Sequence, residues 1–122
     1  MQINFEDERP IFVQIAEGIE DAILTGGFVE NGQIPSITEL SINYRINPAT
    51  ALKGISILVD EGIIFKKRGV GMFVTPGSVS RVKDKRKKLF FDHYIKNLVA
   101  ESQKLGITKE EILNMVERGY EE

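Results

Sequence analysis

The 122-residue sequence predicts a mainly α-helical chain with one small β-ribbon. Three observations carry that expectation. Apolar residues recur at helical spacing up to Gly62 and again from Ser78 onward. Two S/T-x-x-E boxes, Ser36 to Glu39 and Thr108 to Glu111, mark helix starts. Between Ile63 and Val74 the pattern changes to short β-prone runs around a glycine-containing turn.

Each element follows in order. Pro10 opens a first helix, on which Phe12, Ile15, Ala16, Ile19, Ala22 and Ile23 line one face. Gly26-Gly27 ends it. Residues 28–35 read as a connector. Ser36 caps a short second helix that runs through Leu40 to about Asn43, and Tyr44 to Asn47 make a tight turn. Asn47 is a good N-cap, and Pro48 takes the first helical position, where its missing N–H costs nothing. The third helix runs to about Glu61 with a core stripe of Ala51, Leu52, Ile55, Leu58 and Val59. Ile63-Ile64-Phe65 is a strand, Lys66 to Gly71 a hairpin loop, and Met72-Phe73-Val74 the returning strand. Helix, helix, tight turn, helix and two-stranded ribbon make a winged helix-turn-helix, spanning residues 1–77.

Residues 78–122 read as a two-helix tail. A long helix spans about Ser78 to Lys104, with Phe91, Ile95, Leu98, Ser102 and Leu105 near one face. Gly106 breaks it, and Ile112, Val116 and Tyr120 line a short last helix.

Composition narrows the function. The net charge is −2, but the charge is unevenly placed. Residues 1–32 carry −6, residues 33–88 carry +7 and residues 89–122 carry −3. A basic island between acidic flanks attracts a polyanion through its local field. With no cysteine, disulfides and thiolate metal sites are excluded. The single histidine, His93, sits beside Phe91 and Tyr94 without a nucleophile–base set, so an enzyme is disfavoured and no cofactor is expected. His93 reads instead as a helix-interface residue. No apolar run approaches the roughly 20 residues of a membrane span. No signal peptide is visible, and a cytoplasmic location is expected.

The candidate DNA contacts follow from the helix-turn-helix. With its core stripe inward, the third helix turns Ala49, Thr50, Lys53, Ile57 and Asp60 outward. Small residues plus one lysine suit entry into a major groove. The bland alternative is an ordinary solvated face. Ser36 is an N-cap whose helix N-terminus also suits phosphate, and Thr38 lies one turn in. Lys66, Lys67 and Arg68, with Gly69 and Gly71, form a wing suited to phosphate or minor-groove contact. Arg81, Lys83, Lys85, Arg86, Lys87 and Lys88 form a second cluster, equally well read as a solvated helix face.

At this point Pro10 to Val74 resembles the DNA-binding domain of the GntR family of bacterial regulators. The matching stretches are PIFVQIAEGIEDAILTGGF, IPSITEL, INPATALKGISILVDEGII and RGVGMFV. The short tail and the INPAT start of the third helix are similar to the YtrA-type subfamily. That likeness implies two C-terminal helices in place of a large effector domain, dimerisation through them, and control of membrane-transporter genes. It implies DNA contacts at Ser36, Thr50, Lys53 and Gly71. Three positions depart from the family pattern. Thr38 stands where arginine is frequent, Val70 replaces the arginine of a Gly-Arg-Gly wing, and Arg45 stands where glycine is common. Arg45 is therefore expected in a left-handed conformation beside the DNA-binding helix.

The tail is too small for a core of its own. Phe90, Phe91, Tyr94, Ile95, Leu98, Val99, Leu105, Ile112, Met115 and Val116 need a partner surface, most economically a second copy. The expected function is a sequence-specific regulator, a repressor, binding a palindromic double-stranded DNA operator as a homodimer. The alternative is a winged-helix assembly module without specific DNA binding. A small-molecule effector of unknown class fits between tails, near Phe90, Phe91, Tyr94 and Met115.

Overall fold

The computed structural model describes residues 1–122. The chain divides into two compact units, Met1–Lys83 and Asp84–Glu122. The first contains α1 (Ile11–Leu24), β1 (Gln33–Ile34), α2 (Ile37–Tyr44), α3 (Pro48–Asp60), β2 (Ile64–Lys67), β3 (Gly71–Val74) and the first turns of α4 (Ser78–Phe90).

Its core is aliphatic. Ile15, Ile19 and Ile23 of α1, Leu40 of α2, and Ala51, Ile55 and Leu58 of α3 are buried together with Ile34, Ile64 and Val74 of the sheet. Helix α3 lies hard against α1 at Gly54, where a β-carbon would stand 2.8 Å from the Phe12 carbonyl oxygen. A glycine inside a helix costs roughly 0.5–1 kcal/mol relative to alanine. Here it lets the two backbones meet.

The two helix starts of the helix-turn-helix form as the sequence predicts. The Ser36 hydroxyl accepts from the Glu39 N–H at 3.1 Å, and the Glu39 carboxylate accepts from the Ser36 N–H at 3.2 Å. The Asn47 side chain accepts from the Ala49 N–H at 2.8 Å. Between the helices Arg45 is left-handed, with φ 53° and ψ 50°. The turn is clasped twice. The Ile46 N–H donates to the Ser41 carbonyl at 3.1 Å, and the Ser41 hydroxyl donates to the Ile46 carbonyl at 2.6 Å.

Several expectations change. The ribbon has three antiparallel strands in the order β1-β3-β2. The extra strand comes from the connector, with Gln33 opposite Phe73 and Ile34 opposite Met72. Two residues are too few to show an alternating pattern. Lys66, Lys67 and Gly71 also lie in strands, not in the loop, because the ladder extends to the Lys67–Gly71 pair. Backbone pairing is indifferent to the side-chain charge that suggested a loop. The wing tip is thus Arg68-Gly69-Val70, closed by the Val70 N–H donating to the Lys67 carbonyl at 2.9 Å.

On α3, Leu52 and Ile57 exchange environments. Leu52 is 44% exposed, whereas Ile57 packs partly buried against the core. Both sit on the shoulders of the Ala51-Ile55-Leu58 stripe. The Ile57 side is covered there, whereas the Leu52 side is covered only further along the helix, at Val59.

The start of α4 belongs to this unit. Ser78 donates its hydroxyl to the Ile63 carbonyl at 2.8 Å, and Val82 is buried. The Glu30 carboxylate accepts from the N–H groups of Gly77 and Val79, at 2.6 and 3.2 Å. An anion at a helix N-terminus meets both unpaired donors and the helix dipole. Ahead of α1, the N-terminal arm is held by Gln14. Its amide accepts from the Asn4 N–H at 2.8 Å and donates to the Asn4 carbonyl at 2.9 Å.

In the second unit the helix begun at Ser78 continues without a break. It widens into one π-helical turn at Phe91–Ile95, in which the Lys96 N–H reaches back to the Phe91 carbonyl, and resumes as α5 (Lys96–Lys104). The predicted long helix is therefore present, with one wider turn that the regular sequence spacing does not announce. Helix α6 (Lys109–Glu121) starts at the second capping box, with the Glu111 N–H donating to Thr108 at 3.2 Å.

Candidate nucleic-acid interface

The Asn47-Pro48 start puts Ala49 exposed and Thr50 half-buried in the first turn of α3. Lys53 follows one turn later, exposed. Its ammonium stands 4.1 Å from the centroid of the Phe12 ring on α1. Such a contact contributes about 0.5–1 kcal/mol at an exposed site. Lys53 therefore rests over the Phe12 ring of α1 in the absence of DNA.

Ser36 and Thr38 are exposed in and beside the first turn of α2, and Arg45 is exposed on the clasped turn. The helix-turn-helix thus carries Ser36, Thr38, Arg45, Ala49, Thr50 and Lys53 on one continuous stretch of capped helices and hydrogen-bonded turn. The wing carries Lys67, Arg68, Gly69 and Gly71. Its hairpin is stiffened by the stacked rings of Phe65 and Phe73, 5.6 Å apart, and Lys67 sits 5.9 Å from the Phe73 ring. Residues 62–76 hold three cations and no acid, so nothing in the hairpin offsets their field.

One residue near this surface escaped the sequence reading. Gln33 is exposed on β1, and its amide donates to the carbonyl of Val70 at the wing tip, 3.2 Å away. Only the pairing of β1 with β3 brings them together, and no local pattern signals it.

The tail residues share a different property. Phe90, Phe91 and Tyr94 are 55%, 54% and 67% exposed, and Leu98, Val99, Leu105, Met115 and Val116 are exposed as well. Ile95 and Ile112 are half-buried. Phe90 and Tyr94 touch each other with ring centroids 5.2 Å apart. His93 is exposed, and its carbonyl accepts from the Asn97 side chain. Groups of His, Cys, Asp or Glu able to hold a metal are absent, and no helix is long and apolar enough to cross a membrane.

A helix-turn-helix with an outward third helix, a cationic wing and an apolar helical tail defines a DNA-binding regulator of the winged-helix class. The comparisons agree. Residues 12–74 match the family of bacterial regulatory proteins named gntR, which is more than half of the chain. The chain belongs to the GntR family of DNA-binding transcription regulators.

Among relatives, it is 30% identical over 115 residues to the HTH-type transcriptional regulator YhcF of Bacillus subtilis, covering 93% of this chain and 92% of that one. It is 30% identical over 103 residues to the HTH-type transcriptional repressor YtrA of the same organism, covering 77% and 79%. The likeness to the YtrA-type subfamily drawn from the tail and the INPAT start therefore holds. A GntR family transcriptional regulator from Listeria monocytogenes superposes with a TM-score of 0.77 at 29% identity, covering 93% of this chain and 98% of that one. The DNA-binding domain of AraR in complex with operator ORX1 superposes with a TM-score of 0.57 at 26% identity, covering 62% and 96%.

Proposed function

We propose that this regulator is a repressor that binds a palindromic operator as a homodimer, each chain reading one half-site with α3 and its wing. The observation that carries the dimer is the tail, where the large apolar side chains of α5 and α6 stand exposed on a unit without a core. A second tail related by a two-fold covers them, and a two-fold pair of winged helices matches a palindrome. YtrA, a named repressor, supports the sign of regulation. The AraR complex supports a direct operator contact by this fold. Within each half-site, Ala49, Thr50 and Lys53 meet base edges. Ser36, Thr38, Arg45, Lys67, Arg68, Gly69 and Gly71 lie along the backbone or the minor groove. The protein works where the chromosome lies, in the cytoplasm.

The test is selection from a random duplex library, followed by titration at several salt concentrations. Wild type is expected to enrich a palindrome and to show a steep salt slope. Lys53→Ala is expected to lower affinity for the selected duplex by about 10-fold or more, with relaxed preference at one base position. Weak, sequence-blind binding by wild type contradicts the reading.

A further inference from the structure

Gln33 and Phe73 are paired directly across β1 and β3, so their side chains share one face of the sheet. Gly71 lies two residues from Phe73 along β3 and belongs to the same face. Having no side chain, Gly71 leaves a lane across the strand. Gln33 uses it. Its amide crosses the lane and donates to the Val70 carbonyl at 3.2 Å, joining positions 37 residues apart. A β-carbon on Gly71 would overlap that amide, and the φ of +149° at Gly71 is itself unfavourable for other residues.

The tip is therefore tied on two sides. Its own turn closes through Val70 and Lys67, and Gln33 braces it from the neighbouring strand. Arg68 is exposed on a braced loop, two residues before Val70, which is 58% exposed. We propose that Gln33 is a positioning residue for DNA binding: it holds the wing tip in place, so that Arg68 meets the duplex without a loose loop first having to order. This role rests on the reading of the wing as a DNA contact. Ordering a loop in advance lowers the cost of binding. One neutral hydrogen bond and the order it gives correspond to about a 5-fold change in affinity.

The test uses the full chain and the duplex it selects. Gln33→Met keeps the side-chain length and removes the donor. It is expected to bind about 5-fold more weakly. Hydroxyl-radical footprinting should show protection lost at the backbone positions that Arg68→Ala also loses, and kept at those that Thr38→Ala loses. The melting temperature should fall by no more than a few degrees, as the loss of one hydrogen bond requires. Gly71→Ala should weaken binding less in the Gln33→Met background than in wild type, because the hydrogen bond it would break is already absent. Wild-type affinity in Gln33→Met, or an even loss of protection across the site, overturns the role. A wild-type chain that selects no duplex overturns the function and this role together. Selection by wild type, matched by Gln33→Met, overturns this role alone.

Discussion

Helices α2 and α6 begin in the same way and end up in opposite circumstances. Each starts at a complete capping box, Ser36 with Glu39 and Thr108 with Glu111. Helix α2 then places Leu40, 1% exposed, in a shared core. Helix α6 has no fully buried residue, and Leu113, Met115, Val116 and Tyr120 remain exposed. Local signals place a helix, and what it packs against decides whether the fold is finished. By this measure the first unit closes its core within one chain, whereas the tail leaves its large apolar side chains exposed.

The largest expected effect comes from breaking the tail. Leu98→Asp puts a charge on the exposed face of α5 and removes no contact with a core. Burying a leucine is worth about 1.5–3 kcal/mol, and a two-fold interface counts each change twice. With the added cost of burying a carboxylate, self-association should fall by at least about 100-fold. Sedimentation should show a monomer, and operator affinity should drop with it. The melting of the first unit should not move. A dimer that survives Leu98→Asp removes this face from the interface.

The converse variant strikes the finished unit. Ile55→Ala leaves a cavity at a fully buried position of α3, at a cost of about 2–5 kcal/mol. Urea unfolding should show that loss, while sedimentation at low temperature still finds the wild-type assembly. A parallel loss of self-association would mean that the two units depend on each other for stability, and the contrast drawn from α2 and α6 would fail.

The legibility of the sequence follows the same division. Elements with a long period or a strong cap were readable: the stripe of α1, the boxes at Ser36 and Thr108, and the Asn47-Pro48 start. The helix-turn-helix side of the candidate site came with them, because its residues are placed by those caps. What stayed hidden depends on contacts distant in sequence. Strand β1 exists because Gln33 and Ile34 find β3, and the strap from Gln33 to Val70 follows from that pairing. The perch of Lys53 on Phe12 needs the close crossing of α1 and α3 at Gly54. Leu52 and Ile57 differ from expectation because a helix wheel shows where the stripe lies, but not where along the helix a neighbour covers each side of it.

Arg45 carries the smallest expected effect and separates stability from binding within the finished unit. It is left-handed at φ 53°, a conformation that costs a non-glycine residue about 1–2 kcal/mol. Glycine removes that strain but loses more chain entropy on folding, by roughly 0.5–1 kcal/mol. Arg45→Gly should therefore stabilise the first unit by up to about 1 kcal/mol, raising its melting temperature by a few degrees. The same change removes a cation from the turn ahead of α3. If that cation meets a phosphate, the salt slope of operator binding should fall by about 1. A more stable protein that binds more weakly and depends less on salt would show that the strain at Arg45 is retained for its charge. If the slope does not change, Arg45 is only a strained turn residue, and the cations that meet the duplex lie on α3 and the wing.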